Sequence, residues 1–180
     1  MDKKTAHIGI LTVSDRAFRG EYEDQGGPAV QNWLMSRFAD PPPFEVRICP
    51  DVLENIEQEI SQLATTCSLL MTTGGTGIGP RDVTPEATIR CCTKLIPGFG
   101  EKMRAANWDA VPTAILSRAT AGLVGSCLVI NLPGNPKAIA ECLEAIWPAI
   151  PHAIETAGGP SWKAKGAAKS PHPPSASSSS

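Results

Sequence analysis

The stretch from Leu69 to Pro85, LLMTTGGTGIGPRDVTP, constrains the fold more than any other part of the chain. An apolar run, Leu69-Leu70-Met71, passes through Thr72-Thr73 into Gly74-Gly75-Thr76-Gly77, then Gly79-Pro80-Arg81-Asp82. Thr84-Pro85 follows, with Thr84 placed to cap a helix and Pro85 to open it. The pattern reads as buried strand, irregular glycine loop and fresh helix. Glycine lets backbone N–H groups turn toward a ligand, and helix starts favour anions. Such a loop is also often no more than a tight connection. It is not a Walker phosphate loop, because no Gly-Lys-Ser/Thr follows at the required spacing, and it follows the third strand rather than the first, unlike a dinucleotide fingerprint.

Around it, apolar runs alternate with amphipathic ones. His7–Val13, Phe44–Cys49, Ser68–Thr73, Pro112–Leu116 and Cys127–Leu132 read as strands. Their near-continuous apolar character, clearest in the first, predicts burial on both faces in a mostly parallel sheet. Helices are predicted from Pro28 (Val30, Leu34, Phe38), from about Asn55 (Ile56, Ile60, Leu63), over Pro85–Lys94, over Glu101–Trp108, and from Pro136. The last carries Ile139, Leu143, Ile146, Ile150 and Ile154, with Pro148 and Pro151 expected to kink or divide it. Turns are expected at Ile96–Glu101 and at Gly122 and Gly125. This is the α/β class.

The chain has 180 residues, 42% of them hydrophobic and 19% charged, with a formal net charge of -2. That suits one domain, residues 1–162, able to bury a core without staples. From Lys163 the composition turns basic, then Pro- and Ser-rich, and residues 163–180 are expected to be a disordered tail. Near-neutral charge without a basic stripe or aromatic platform gives no support for nucleic acid as a partner. No membrane span is expected, and Met1-Asp2-Lys3-Lys4 leads into the first strand without a signal-peptide pattern. The six cysteines form no C-x-x-C pair and read as small core residues in a reducing cytoplasm.

Each polar or glycine-rich cluster follows the end of a predicted strand: Ser14-Asp15, Asp51, the central loop with Asp82, Ser117-Arg118, and Pro133-Gly134-Asn135-Pro136. In an open α/β sheet, ligands bind outside the carboxyl ends of the strands, so a parallel sheet gathers these segments at one rim. Asp15, Asp51 and Asp82 then stand beside anion-binding backbone, an arrangement suited to Mg²⁺, which takes one or two carboxylates plus substrate oxygens. Asp51 and Asp15 also suit helix-cap or turn roles. Arg118 and Lys137 are placed either to face phosphate or to form ion pairs. His7, His152 and His172 lie away from these loops, and no Ser/His/Asp arrangement is present.

Six ordered segments resemble the molybdopterin adenylyltransferase family, which includes a bacterial enzyme and the amino-terminal domain of gephyrin. They are Thr12–Ala17 (TVSDRA), Thr72–Gly77 (TTGGTG), Arg81–Thr88 (RDVTPEAT), Pro97–Arg104 (PGFGEKMR), Ala114–Gly122 (AILSRATAG) and Asn131–Ala138 (NLPGNPKA). The resemblance spans about His7 to Ile154. It implies a three-layer α/β/α sandwich with a mainly parallel, molybdopterin-binding-like sheet, usually in a homotrimer. It implies Mg²⁺ as cofactor, ATP as co-substrate, and transfer of AMP to the terminal phosphate of molybdopterin with release of pyrophosphate. A molybdenum insertase is the implied recipient of the product. Asp51 and Asp82 match the aspartates regarded as catalytic and are the candidate Mg²⁺ ligands. Ser14, Gly74, Gly75, Thr76, Gly77, Ser117, Pro133, Gly134 and Asn135 match the substrate-binding rim, beside which Asp15 and Arg118 are candidates from position.

The chain departs from the family pattern in two places. Val52 follows Asp51 where bacterial members can carry a second acid, and an insertion before the last helix is missing. A rival reading is a non-catalytic trimeric scaffold that binds molybdopterin without turning it over.

Overall fold

The computed structural model describes residues 7–167. Its centre is a six-stranded sheet in the order β2-β1-β3-β6-β5-β4. Strands β1 (Ile8–Val13), β2 (Phe44–Cys49), β3 (Leu69–Thr73) and β6 (Cys127–Leu132) are parallel, with Ile8 beside Leu69 and Leu69 beside Leu128. β4 (Lys94–Leu95) and β5 (Ala121–Val124) complete one edge in antiparallel pairing. Every residue of β1, β3 and β6 is buried, as expected for strands covered on both faces.

Side chains alternate across the sheet into two cores. Ile8, Ile10, Leu69, Met71, Leu128 and Ile130 pack under α2 (Gly26–Met35), α5 (Gly98–Asn107), α6 (Pro136–Ile146) and α7 (Ile150–Thr156). Leu11, Val13, Leu70 and Val129 pack under α3 (Leu53–Thr66) and α4 (Thr84–Cys91). The result is the three-layer α/β/α arrangement expected. Pro148 and Pro151 do divide the closing helix: Trp147–Ala149 is a 3-10 turn between α6 and α7.

Pro112–Leu116 is not the fourth strand but a 3-10 helix. Pro112 has no N–H to give a ladder and suits a first helical turn. Ile115 and Leu116 are exposed, so this apolar run lacks the burial a strand would give it. The true neighbour of β6 is Ala121–Val124, where Gly122 suggested a turn. That glycine sits inside a strand flanked by β6 and β4, and β4 crowds it: a Cβ there would lie 2.6 Å from the Lys94 carbonyl oxygen. Gly125, at φ 60°, does make the tight turn between β5 and β6. Lys94, expected at the end of a helix, belongs to β4 instead, and α4 stops at Cys91.

The described chain also passes the expected boundary at residue 163. The Lys165 N–H donates to the Arg37 carbonyl at 2.8 Å, and Trp147 Nε1 donates to the Lys165 carbonyl at 2.6 Å. These bonds attach the start of the basic segment to the 3-10 turn after α6 and to the chain just beyond α2. The rest of the expected tail, His172 within it, and the amino-terminal Met1–Lys4 segment lie outside the described residues. Among the described residues, no helix is long and apolar enough to cross a membrane.

Candidate functional site

The four parallel strands end at one rim. Val13 leads into Ser14, Cys49 into Asp51, Thr73 into Gly74, and Leu132 into Pro133. Ser117-Arg118 reaches the same rim without a strand, because the Arg118 N–H donates to the Thr76 carbonyl at 2.9 Å.

Gly74 and Gly75 have φ of 98° and 62°, in the left-handed region that favours glycine. The loop they begin folds back onto α4. Thr84 Oγ1 donates to the Gly74 carbonyl at 2.9 Å, and the Thr84 N–H donates to the Gly75 carbonyl at 3.1 Å. Thr84 is thus the first residue of α4, with its hydroxyl fastening the glycine turn; the capping position falls to Val83.

Two carboxylates stand against this loop. A Cβ on Gly75 would lie 3.5 Å from Asp51 Oδ1, and one on Gly77 would lie 2.8 Å from Asp82 Oδ2. Asp82 Oδ2 also accepts the Gly79 N–H at 2.8 Å, closing a small turn. Asp51 Oδ2 accepts the Asp15 N–H at 2.7 Å, and Asp15 Oδ1 accepts the Asp51 N–H at 3.0 Å. Burial pushes the Asp51 carboxyl above its ordinary value; the Asp15 amide opposes that, while the charges of Asp15 and Asp82 add to it.

Arg118 holds the loop from beneath. Its Nε donates to the Gly77 carbonyl at 2.6 Å, and its two terminal nitrogens bond the Asp82 carbonyl and the Glu86 carboxylate. The guanidinium is therefore a loop clamp in this structure, with three of its donors spent inside the protein. Lys137, the other basic candidate, has an exposed side chain 4.0 Å from Glu141.

The remaining rim residues divide between two clefts. Ser14 caps α1 (Asp15–Phe18), its Oγ accepting the Ala17 N–H at 3.2 Å, and Ser14, Gly74 and Gly134 line a cleft of about 140 Å³. Ser117 and Pro133 line another, of about 150 Å³, with Met103, Arg104 and Ala138. Arg104 fixes that wall by donating to the Ser117 and Ala119 carbonyls at 3.0 and 3.1 Å. Asn135 caps α6, its Oδ1 accepting the Lys137 N–H at 2.9 Å, and the Pro133 carbonyl accepts from Thr73 Oγ1 at 2.8 Å.

Two contributors were not singled out from the sequence. Arg81 forms an ion pair with Asp15 across the rim. Asp24 accepts the Gly26 and Gly27 N–H groups at 2.9 and 3.2 Å and the Thr12 hydroxyl at 2.7 Å. An aspartate two residues before a helix start is a legible capping signal; the partner of Arg81, 66 residues away, is not.

Among the described residues, no cluster of three or more His, Cys, Asp or Glu forms a protein-only metal cage. Two carboxylates beside a glycine loop suit Mg²⁺, which completes its shell with substrate oxygens and water. The donor chemistry of Asp51 and Asp82 fits that ion.

A family model described as "Probable molybdopterin binding domain" matches residues 9–152. The chain is 49% identical over 154 residues to a molybdopterin adenylyltransferase of Helicobacter pylori, covering 84% of this chain and 88% of that one. It is 42% identical over 170 residues to the Escherichia coli K12 molybdopterin adenylyltransferase, covering 87% of each. Among solved structures it is similar to the molybdopterin biosynthesis enzyme MoaB of Thermus thermophilus, at 40% identity and a TM-score of 0.79, over 88% of this chain and 99% of that one. With a rim of this geometry inside the matched region, the chain belongs to the molybdopterin-binding domain family of molybdenum cofactor biosynthesis.

Proposed function

We propose that this protein is a molybdopterin adenylyltransferase, a nucleotidyltransferase that uses Mg-ATP to transfer AMP to the terminal phosphate of molybdopterin. The observation that carries the proposal is the placement of Asp51 against Gly75 and Asp82 against Gly77, on one anion-binding loop. An oxygen of the molybdopterin phosphate forms a bond to the α-phosphorus of ATP as the α–β P–O bond breaks. Pyrophosphate leaves with that electron pair. The nucleophile is already an anion, so no protein nucleophile is required, and positioning and charge stabilisation are the main tasks.

The Gly75, Thr76 and Gly77 segment supplies backbone N–H groups for phosphate oxygens. Asp51 and Asp82 would hold Mg²⁺, with Asp51 as a direct ligand and Asp82 acting on the ion or its water shell. Bound there, the ion supplies charge neutralisation for the triphosphate. Arg118 keeps the loop in shape by binding the Gly77 and Asp82 carbonyls. Ser14 and Gly134 on one cleft, and Ser117 and Pro133 on the other, would border the two substrates.

The protein is further proposed to act as a homotrimer in the cytoplasm and to hand its product to a molybdenum insertase. Trp108, Val111, Ile115 and Leu116, exposed along the connection after α5, support a surface covered by another copy. Among the described residues none of the six cysteines is in a disulfide, which suits a reducing compartment.

The test is a single-turnover assay with molybdopterin, labelled ATP and Mg²⁺. Adenylylated pterin and pyrophosphate should form, and Asp82→Asn should lose at least ~10²-fold in rate while staying folded, comparable to a lost preorganised electrostatic contact. Tight molybdopterin binding without product would favour the scaffold reading. For Asp51→Asn, unchanged Mg²⁺ dependence would remove Asp51 from the metal.

A further inference from the structure

We infer that Tyr22 is a substrate-binding residue that stacks on the planar heteroaromatic ring of one substrate, either the pterin or the adenine. The inference rests on the adenylyltransferase reading and adds to it a residue that fixes ring recognition.

Tyr22 is the sole tyrosine of the chain. It is 40% exposed, yet it lines the cleft bordered by Ser14, Asp24, Gly26, Gly74 and Gly134. The Arg16 guanidinium lies 5.1 Å from its ring centroid. A cation over an aromatic face restrains the ring without burying it. The arrangement therefore presents a held, accessible aromatic surface at the mouth of a cleft.

Charge decides which part of a substrate this cleft suits. The amides that start α2 could attract a phosphate, but Asp24 already accepts the Gly26 and Gly27 N–H groups. Its negative charge on the cleft wall disfavours a second anion. Phosphate binding is left to the Gly75–Gly77 segment. The cleft adjoins that segment through Gly74, the residue before Gly75, whose Cβ position faces Asp51 at 3.5 Å. A ring here lies within reach of phosphates held at the loop. Gly26, Gly74 and Gly134 line the same cleft as Tyr22 and bring no side chain of their own into it. Phe18 and Trp108, the other exposed aromatic side chains of comparable exposure, do not line this cleft.

The experiment is steady-state kinetics of the wild type, Tyr22→Phe and Tyr22→Ala, with ATP and molybdopterin varied separately. Loss of an aromatic stack should raise KM for one substrate roughly 5- to 100-fold in Tyr22→Ala, with kcat changed less than about threefold. Tyr22→Phe should stay within about twofold of the wild type, because it keeps the ring. The substrate whose KM rises identifies the ring: ATP for adenine, molybdopterin for pterin. The inference is overturned if both KM values stay within about twofold in Tyr22→Ala, or if Tyr22→Phe loses as much as Tyr22→Ala. It is also overturned if kcat and melting temperature fall together with KM unchanged, the signature of a structural residue. Calorimetric binding of AMP and of molybdopterin to the wild type and Tyr22→Ala keeps the two readings apart. A wild type that binds but forms no product refutes the transferase reading alone, and the binding ratio still tests Tyr22.

Discussion

Asp15 and Asp51 exchange hydrogen bonds, each carboxylate accepting the other's backbone N–H, at 2.7 Å onto Asp51 Oδ2 and 3.0 Å onto Asp15 Oδ1. The pair sits at the ends of neighbouring parallel strands, β1 and β2, and fixes how Asp51 meets the glycine loop. Asp15 thereby holds the proposed metal ligand in place, and its charge adds to the rise that burial gives the Asp51 carboxyl.

Asp15→Asn should lower the acid limb of the pH–rate profile. Asp51 is raised first by burial, and the Asp15 charge adds to the rise. Metal binding needs the ionised carboxylate, so activity falls as pH drops through this raised value. Removing the neighbouring charge, while keeping an amide acceptor, should move that fall to lower pH. Asp15→Ala, which loses the acceptor, should also destabilise the fold by about 1–2 kcal/mol. Profiles of kcat/KM with denaturant melts would check both, and an acid limb that does not move, or moves upward, would contradict the assignment.

Gly77→Ala probes the second carboxylate by steric contact. The added methyl would lie 2.8 Å from Asp82 Oδ2, well inside ordinary contact, so Asp82 must shift. Gly77 is not among the positive-φ glycines, and alanine adds little backbone strain there. The expected result is a rate loss of about 10²-fold, because an ångström-scale misplacement of a positioning group has that effect. Stability should change by less than about 1 kcal/mol. A normal rate would show that the Asp82 position does not matter to the reaction.

Arg118→Lys keeps the charge but loses the fork. One ammonium cannot reproduce the bonds from Nε and both terminal nitrogens to the Gly77 carbonyl, the Asp82 carbonyl and Glu86. The loop should loosen, and kcat should fall about tenfold or more through lost preorganisation. Hydrogen exchange at residues 75–82 should quicken at the same time. Unaltered exchange with reduced rate would mean that Arg118 meets a substrate directly.

Much of this site was legible because chemistry and fold share one signal. Near-continuous apolar runs marked β1, β3 and β6, and parallel strands of that kind bring their following loops to one rim. The edge was harder to read. Pro112–Leu116 has strand-like apolar residues, but its proline and lack of covering layer make it a 3-10 turn. Ala121–Val124 holds a glycine for close approach, a feature indistinguishable from a turn glycine until β4 is placed beside it. The work of Arg118 was illegible for another reason. Its partners at Gly77, Asp82 and Glu86 are 32 to 41 residues away, and no local pattern encodes which of them it meets. Asn131, inside an apolar strand, has partners just as distant; its side chain donates to Thr72 and Thr88 at 3.0 and 2.8 Å, tying α4 to the sheet.

The buried thiols predict a pH dependence on the alkaline side. Burial pushes Cys49 up to about 12 and Cys142 up to about 11, from an ordinary 9.0. Both are nearly solvent-free, at 2% and 6% exposure. The folded state therefore keeps these thiols neutral at pH values where the unfolded chain ionises them. Their stabilising effect is complete below pH 9 and is lost as pH rises through the window from 9 toward 11–12. At ~1.36 kcal/mol per pH unit, each thiol should remove roughly 1–2 kcal/mol of stability by about pH 10.5. Cys49→Ala with Cys142→Ala should start less stable, because two buried sulfurs leave space behind. Between pH 9 and 10.5 its denaturation midpoint should nevertheless decline less steeply than that of the wild type. Equal slopes would show that the thiols ionise in the fold as readily as in the open chain.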